Sequence, residues 1–468
     1  MVSERVARLR EIELQQLLKP AAAVAVLLAA AYYGPRASMS QLILFVGAGA
    51  GLILLQVPEL GLLAMPISAL VVPFSIGTGT DTSLNLPILL VPALLGVWVA
   101  NMYRRRAMRL VPSRINLPVL FFAISAGLSF LAGNVPWDYF ASTASLRSQL
   151  GGLAIFVFSA ALLLIVGNLI RDSRWLEWIT WSFLALGGVY IISRVVPGLG
   201  WLTARYSDGS TGSLFWVWLV ALAAGQSLFN KSLRTAMRVG LAALVVATLY
   251  LGFAYRSWES GWIPAVAALL VLLWLYSWRV GALATAAGAF GVFVLRPGLI
   301  SSILSVESYS LSTRFMAWQI VLGDILPLNP ILGLGPANYH FYTPLFTIAG
   351  YYVEFNSHNQ YVDILAQTGI VGLVMFTWLV AAIALLGWKL RRVARTGFEQ
   401  AYVNACLAGL AGSLVAGMLG DWFLPFVYNI GIAGFRASVL GWLFLGGLVA
   451  VENMAGRSPS TRCNGVGS

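Results

Sequence analysis

Apolar runs approaching the thickness of a bilayer recur along this 468-residue chain, and no other feature constrains its fold as much. A helix crossing the hydrocarbon core needs about 20 predominantly apolar residues. Fourteen candidate runs lie near residues 20–34, 40–56, 58–76, 85–101, 117–133, 150–169, 176–196, 213–229, 239–254, 261–277, 280–295, 369–388, 401–420 and 430–451. With 59% hydrophobic and only 10% charged residues, the chain has too few charges to coat soluble domains of its length. Pro66, Pro73, Pro87 and Pro92 interrupt the early runs, so the expected number of spans is 12–14. The fold class expected is an all-α polytopic membrane protein. Residues 1–19 form an amphipathic surface segment, 20–296 the first eleven spans, 297–368 one long loop, 369–451 the last three spans and 452–468 a disordered polar tail.

The chain holds 29 Lys and Arg against 17 Asp and Glu, a net charge of +12 that in a soluble protein would suggest nucleic acid. Position decides otherwise. Basic residues near span ends stay on the cytoplasmic side. Placing both termini there gathers 21 of the 29, including every lysine. The basic excess thus reads as orientation, and a nucleic-acid partner loses its support. Eight arginines remain on the other side: Arg36, Arg147, Arg194, Arg205, Arg256, Arg296, Arg314 and Arg436. Arg436, about six residues inside the last run, would need a cavity or a partner such as Asp421.

Residues 297–368 fall outside on this topology, and a long ordered loop usually carries function. Within it, Ser312 to Leu322 has a capping Ser or Thr and helical spacing, which predicts a helix along the membrane ending near Pro327 and Pro330. A tight turn at Gly333-Leu334-Gly335-Pro336 follows, then the aromatic stretch Tyr339-His340-Phe341-Tyr342. Last, Asn356 or Ser357 is placed to cap a helix running into the next span.

Both histidines of the chain, His340 and His358, lie in this loop. Imidazole is the side chain best suited to move protons near neutral pH. For His340, among aromatics, plain hydrogen bonding to water or a carbonyl is the better reading. His358, at a helix N-terminus, should have a depressed pKa and a neutral, basic ring. Arginine pairs with phosphate oxygens in a bidentate manner, which makes Arg205, Arg256 and Arg314 candidates for a diphosphate. Taken singly, each is better read as an interfacial or acid-paired arginine; together, on the side poor in basic charge, they are a candidate set.

Negative findings narrow the chemistry. Two cysteines, Cys406 and Cys463, and two histidines make neither a structural zinc site nor a disulfide framework. There is no Walker-type loop, HExxH or GxSxG, so ATP use, zinc peptidases and the common serine hydrolases are not indicated. The first outer loop, Gly34 to Met39, holds no acid of the kind a metal-dependent polytopic glycosyltransferase would place there.

Arg314-x-x-x-Trp318, Gly333-x-Gly335, His358-Asn359-x-Tyr361, Leu365 and Gly369-x-x-Gly372 together resemble the conserved domain of the bacterial O-antigen ligase and polymerase family, over roughly residues 240–390. The resemblance implies a helical transferase of the bacterial inner membrane, free of metal and ATP, acting on the periplasmic face. It implies an undecaprenyl-diphosphate-linked glycan as donor. The family histidine matches His358, and its two arginines match Arg314 and Arg256, although Tyr255 stands where the family often has Ser.

The resulting expectation is an inverting transfer in which His358 takes the proton of an acceptor hydroxyl and Arg314, Arg256 and Arg205 hold the diphosphate. Asn359, Asp363 and Tyr361 are possible supporting residues. Tyr339, Tyr342, Tyr351 and Tyr352 are positioned to stack on sugars, though interfacial aromatic belts explain them equally well. The acceptor is expected to be lipopolysaccharide core, as for an O-antigen ligase; the alternatives are a growing polysaccharide, as for a polymerase, or a protein hydroxyl. A lipid-linked glycan flippase or transporter ranks behind, since it should show ionisable groups at the bilayer midplane and inverted repeats.

Overall fold

The computed structural model describes residues 51–77, 83–106, 109–254, 259–291 and 308–457, with the single residues 49 and 294. The amphipathic segment 1–19, the first apolar run, the loop Gly34 to Met39, Arg36, Arg256, Arg296 and Cys463 lie outside the described residues.

Each of the twelve runs from residue 58 onward falls on a helix. In order these are α1 (Glu59–Leu70), α2 (Leu86–Arg104), α3 (Asn116–Ala132), α4 (Leu146–Leu169), α5 (Ser173–Val195), α6 (Ser213–Phe229), α7 (Thr235–Ala254), α8 (Glu259–Tyr276) and α9 (Trp278–Phe290). The loop helix α10 (Ser308–Ile320) precedes α11 (Gln360–Leu390), α12 (Phe398–Leu419) and α13 (Phe435–Arg457). By length and composition seven helices can cross a membrane: α2, α4, α5, α7, α11, α12 and the segment Ile432–Gly456 that contains α13. Shorter apolar helices at Glu59–Leu70, Asn116–Ala132, Ser213–Phe229 and Ser260–Tyr276 accompany them. The expected fourteen spans go beyond this number and rest on the sequence alone. Among the described residues the only sheets are two hairpins, β1 (Ser75–Gly77) with β2 (Ser83–Asn85), and β3 (Thr347–Ile348) with β4 (Tyr351–Tyr352).

Helices in lipid gain little from apolar burial against one another, so association depends on close packing. The centre of the bundle is α6, whose residues Leu214 to Ala224 are all buried, packed by α8 and α12, with α13 against α4. Some hydroxyls of the bundle are satisfied within their own turn, as Thr248 donates to Leu244 O at 2.7 Å and Ser413 to Gly409 O at 2.7 Å, while others tie neighbouring helices, as Tyr402 donates to Phe444 O at 2.8 Å.

Polar ties sort the connections to two ends. At one, Glu452 accepts from Ser113 Oγ at 2.8 Å and pairs with Lys389 at 3.7 Å, while Arg391 donates to Leu275 O at 2.9 Å. At the other, Asn85 donates to Ile432 O at 3.0 Å, and Ala144 N–H donates to the Asn338 side chain at 3.0 Å. Arg436 belongs to this second end. The last helix starts at Phe435, so Arg436 sits in its first turn, near the start of the segment Ile432–Gly456, and its hydrogen-bond partners are backbone carbonyls and not Asp421. Its two terminal nitrogens donate to Val72 O and Phe74 O at 2.6 Å each, holding the chain that leaves α1.

The long loop has a small apolar core of its own, with Val321, Ile325, Leu334, Tyr339, Tyr342, Val362, Ala366 and Phe426. Its helix α10 begins at least four residues before Ser312, so neither Ser312 nor Thr313 caps it; a π-helical turn, Val321–Ile325, ends it ahead of Pro327. The turn at Gly333 docks against α11 through backbone hydrogen bonds: Leu334 N–H donates to Ala366 O at 2.9 Å and Gly335 N–H to Gln367 O at 3.0 Å. Two glycines permit this. Gly369 has φ +64° and ψ −170°, a kink inside α11 that is essentially glycine-only, and a Cβ there would strike Ile331 O. Gly333 has φ +69°, and its Cβ would come within 2.5 Å of the Gln367 carbonyl carbon.

Candidate active site

Three segments far apart in sequence meet at the second end. The first is α10. Trp318 donates its indole N–H to Ser357 O at 2.7 Å, which ties the loop helix to the residue before His358. One helical turn earlier and on the same face lies Arg314, half-buried, with Nε lacking a hydrogen-bond partner among the described residues. The Arg-x-x-x-Trp spacing therefore has a structural meaning: the indole anchors the helix and the guanidinium is presented to the same turn.

The second segment is the turn Asn356-Ser357-His358-Asn359. His358 N–H donates to Asn356 Oδ1 at 3.3 Å, and Asn359 N–H donates to Ser357 Oγ at 3.0 Å. The helix cap is Asn359, not Asn356 or Ser357, since Asn359 Oδ1 accepts from Tyr361 N at 3.0 Å and Val362 N at 3.4 Å. This fold of the turn leaves His358 with φ +48°, a left-handed conformation that a residue with a side chain adopts at a cost of about 1–2 kcal/mol. Such strain concentrates at functional positions.

The third segment, residues 420–434 between α12 and α13, contributes a pair that the sequence reading missed. Asn429 Nδ2 donates to Asp421 Oδ1 and lies 3.3 Å from His358 Nδ1. The fully buried Asp421 also accepts from Phe426 N–H at 2.5 Å through its other oxygen. Gln360 binds the segment to the start of α11, its side-chain oxygen accepting from Phe423 N and Leu424 N at 2.9 Å each. With the amide nitrogen facing both neighbours, Nδ1 is the acceptor and the resting imidazole carries its proton on Nε2. The bond to the Asp421 carboxylate, which only accepts, fixes this orientation of the amide.

Electrostatics bear on the same ring. Burial, then the nearby positive charge of Arg314, lowers the His358 pKa below its ordinary 6.5. The direction is the one expected, with burial and Arg314 as its causes. Burial raises Asp421 to about 6 despite its hydrogen bonds. Burial also pushes the Tyr339 hydroxyl well above its usual range, chiefly by desolvation and then by the neighbouring Asp363 carboxylate.

The remaining expected site residues divide plainly. Asp363 is buried and accepts from the Tyr339 hydroxyl and from Ser357 Oγ at 2.6 Å, leaving Oδ2 without a hydrogen-bond partner among the described residues. It braces the turn from beneath. Tyr361 points into the bundle, donating to Leu414 O at 2.8 Å, and Asn359 reaches Met418 O at 3.5 Å, so both act as structural ties. Tyr339 and Tyr342 are fully buried and offer no face to a sugar, whereas Tyr351 and Tyr352 are exposed on the small hairpin. Arg205 is exposed between α5 and α6, and no interaction among the described residues links it to His358 or Arg314. Among the described residues no group of three or more His, Cys, Asp or Glu is disposed to hold a metal ion.

A multi-pass helical membrane protein with a polar site assembled at one end of its bundle is the class that fold and site define. Residues 232–377, about a third of the chain, match the family model described as O-antigen ligase, which supports the O-antigen ligase/polymerase family and a glycosyltransferase-type enzyme of O-antigen processing. No curated protein matches the chain. Arg314, Trp318, the Gly333 turn, His358 and Gly369 all fall inside the matched region; Asp421 and Asn429 fall outside it.

Proposed function

We propose that this chain is an inverting, metal-independent glycosyltransferase of the inner membrane with its site facing the periplasm. It moves a glycan from an undecaprenyl-diphosphate donor to a sugar hydroxyl of lipopolysaccharide core, as an O-antigen ligase does. The observation that carries the reading is the bond from Trp318 to Ser357 O, which holds the helix bearing Arg314 against the partly buried turn bearing His358, with the guanidinium charge acting on the imidazole.

In the proposed step the acceptor oxygen attacks the anomeric carbon. The bond from that carbon to the diphosphate oxygen breaks, and undecaprenyl diphosphate leaves with the bonding pair. Arg314, with Arg256 and Arg205 as the further candidates from the sequence, balances the charge that develops on the leaving group. His358 takes the acceptor proton. Uptake is at Nδ1, the nitrogen whose lone pair faces Asn429 Nδ2 in the resting site, so the acceptor hydroxyl takes the place of that amide contact as it attacks. The diphosphate ester already activates the donor, so ATP has no role in the step.

The test is reconstitution in proteoliposomes with a lipid-diphosphate oligosaccharide and lipopolysaccharide core. Wild type should transfer glycan with and without chelator, and His358→Ala should be inactive while remaining folded. Normal transfer by His358→Ala would remove the base; loss of transfer on adding chelator would remove the metal-free reading.

A further inference from the structure

A cavity of about 530 Å³ opens beside the site, lined by His340, Phe341, Glu354, Tyr428, Asn429 and the backbone that follows as far as Ala433. Its wall has an unusual polar edge. His340 Nδ1 lies 3.1 Å from Phe355 O, and a carbonyl only accepts, so Nδ1 carries a proton. In the neutral ring Nε2 then bears a lone pair, yet it stands 3.4 Å from Glu354 Oε2, another acceptor. Two acceptors side by side call for donors from outside, or for a proton shared between them. The ring cannot swing away to relieve this, because it stacks on Tyr428 at 4.6 Å with the planes 10° apart. Glu354 is more than half exposed, so its carboxylate is open to a ligand.

The cavity also has a direction. Asn429 belongs to its wall and is the residue that approaches His358 Nδ1. The other group acting on His358 is Arg314, the proposed diphosphate holder on α10. The cavity therefore lies on the Nδ1 side of the imidazole, with Asn429 as the residue the two share, and on that side an incoming nucleophile would approach the base.

We propose that this cavity is the subsite for the acceptor sugar, with Glu354 and His340 Nε2 accepting hydrogen bonds from its hydroxyls. A carboxylate beside an imidazole lone pair is matched by the vicinal hydroxyls of a pyranose, which donate both bonds. The volume accommodates one or two sugar rings. The assignment as acceptor rests on the transferase reading; sugar binding as such does not.

Two measurements separate them. In saturation-transfer NMR with detergent-solubilised full-length protein and a panel of glucose, galactose and N-acetylglucosamine, at least one sugar should bind wild type and His358→Ala. Binding should fall at least fivefold in Glu354→Gln and in His340→Phe. In the proteoliposome assay, Glu354→Gln should raise the KM for acceptor about tenfold while kcat and the donor KM stay within about threefold. Sugar binding without any transfer keeps the subsite and removes the transferase. Transfer with unchanged acceptor KM in both variants removes the subsite and keeps the transferase. A rise confined to the donor KM overturns the acceptor assignment. The exposed Glu354 is not needed for folding, and a monodisperse Glu354→Gln profile on size exclusion checks this.

Discussion

Hydroxyls in the helical bundle that bond within their own turn and the polar groups that build the site at its end meet the same problem, a polar group in a dry place, at different ranges along the chain. In the bundle, Thr248 and Ser413 bond to carbonyls four residues back, and Ser182 to one three residues back. In the loop region partners come from far along the chain: Asn429 reaches His358, Trp318 reaches Ser357, and Tyr339 reaches Asp363. Local satisfaction leaves a side chain replaceable. Long-range satisfaction makes each member depend on a fold assembled elsewhere, which is how a chain poor in polar residues concentrates chemistry in one place.

The comparison breaks most readily at His358. His358→Ala and Arg314→Ala should each lower glycan transfer by about 10²–10⁴-fold with retained folding, measured as initial rates in proteoliposomes. His358→Gly should be equally inactive yet no less stable than His358→Ala in thermal unfolding, because glycine accepts φ +48° without strain. Next comes the backbone dock. Gly369→Ala should cost about 2–4 kcal/mol and deplete folded protein, read as loss of the monodisperse peak on heating; a stable Gly369→Ala would mean the kink is dispensable.

The pH profile sharpens the contrast further. A base with its pKa lowered is neutral above that value, so kcat/KM should be flat near pH 7–8 and fall only below pH 6.5. Asp421, raised to about 6, gains its proton in the same range and so changes the acceptor held by Asn429. The acid limb should therefore be steeper than one proton. In Asn429→Ala the slope should relax to one and transfer should drop about tenfold. Arg314→Gln removes the cation that disfavours imidazolium, so His358 should titrate closer to 6.5 by NMR; no movement would deny that the two face each other. The smallest effect belongs to the bundle, where Ser413→Ala should change stability by no more than about 0.5–1 kcal/mol and leave transfer untouched.

Much of this was legible in the chain itself. Runs of apolar residues located the helices from residue 58 onward because a membrane-spanning segment must be continuous, and the sparse polar residues drew attention to Arg314 and His358. The kink at Gly369 was not legible as a break, since it sits within an unbroken apolar pattern and is imposed by the Gly333 turn packed against it. Asp421 and Asn429 escaped for a different reason. They lie beyond two intervening helices, α11 and α12, and neither residue type signals proximity to a histidine more than 60 positions earlier. Arg436 does find the partners its place in the last run calls for, but they are the carbonyls of Val72 and Phe74, far along the chain, which no sequence pattern signals.

The placement of Asn429 has a consequence for how the molecule is made. Arg314 and His358 leave the ribosome well before the segment that completes their surroundings, and that segment joins them only once α12 has been threaded and α13 follows. A chain ended after residue 419 should insert and display both residues, yet fail to transfer glycan. Competence is thus gained late in biogenesis, after the transferase is already anchored among the lipids that carry its donor.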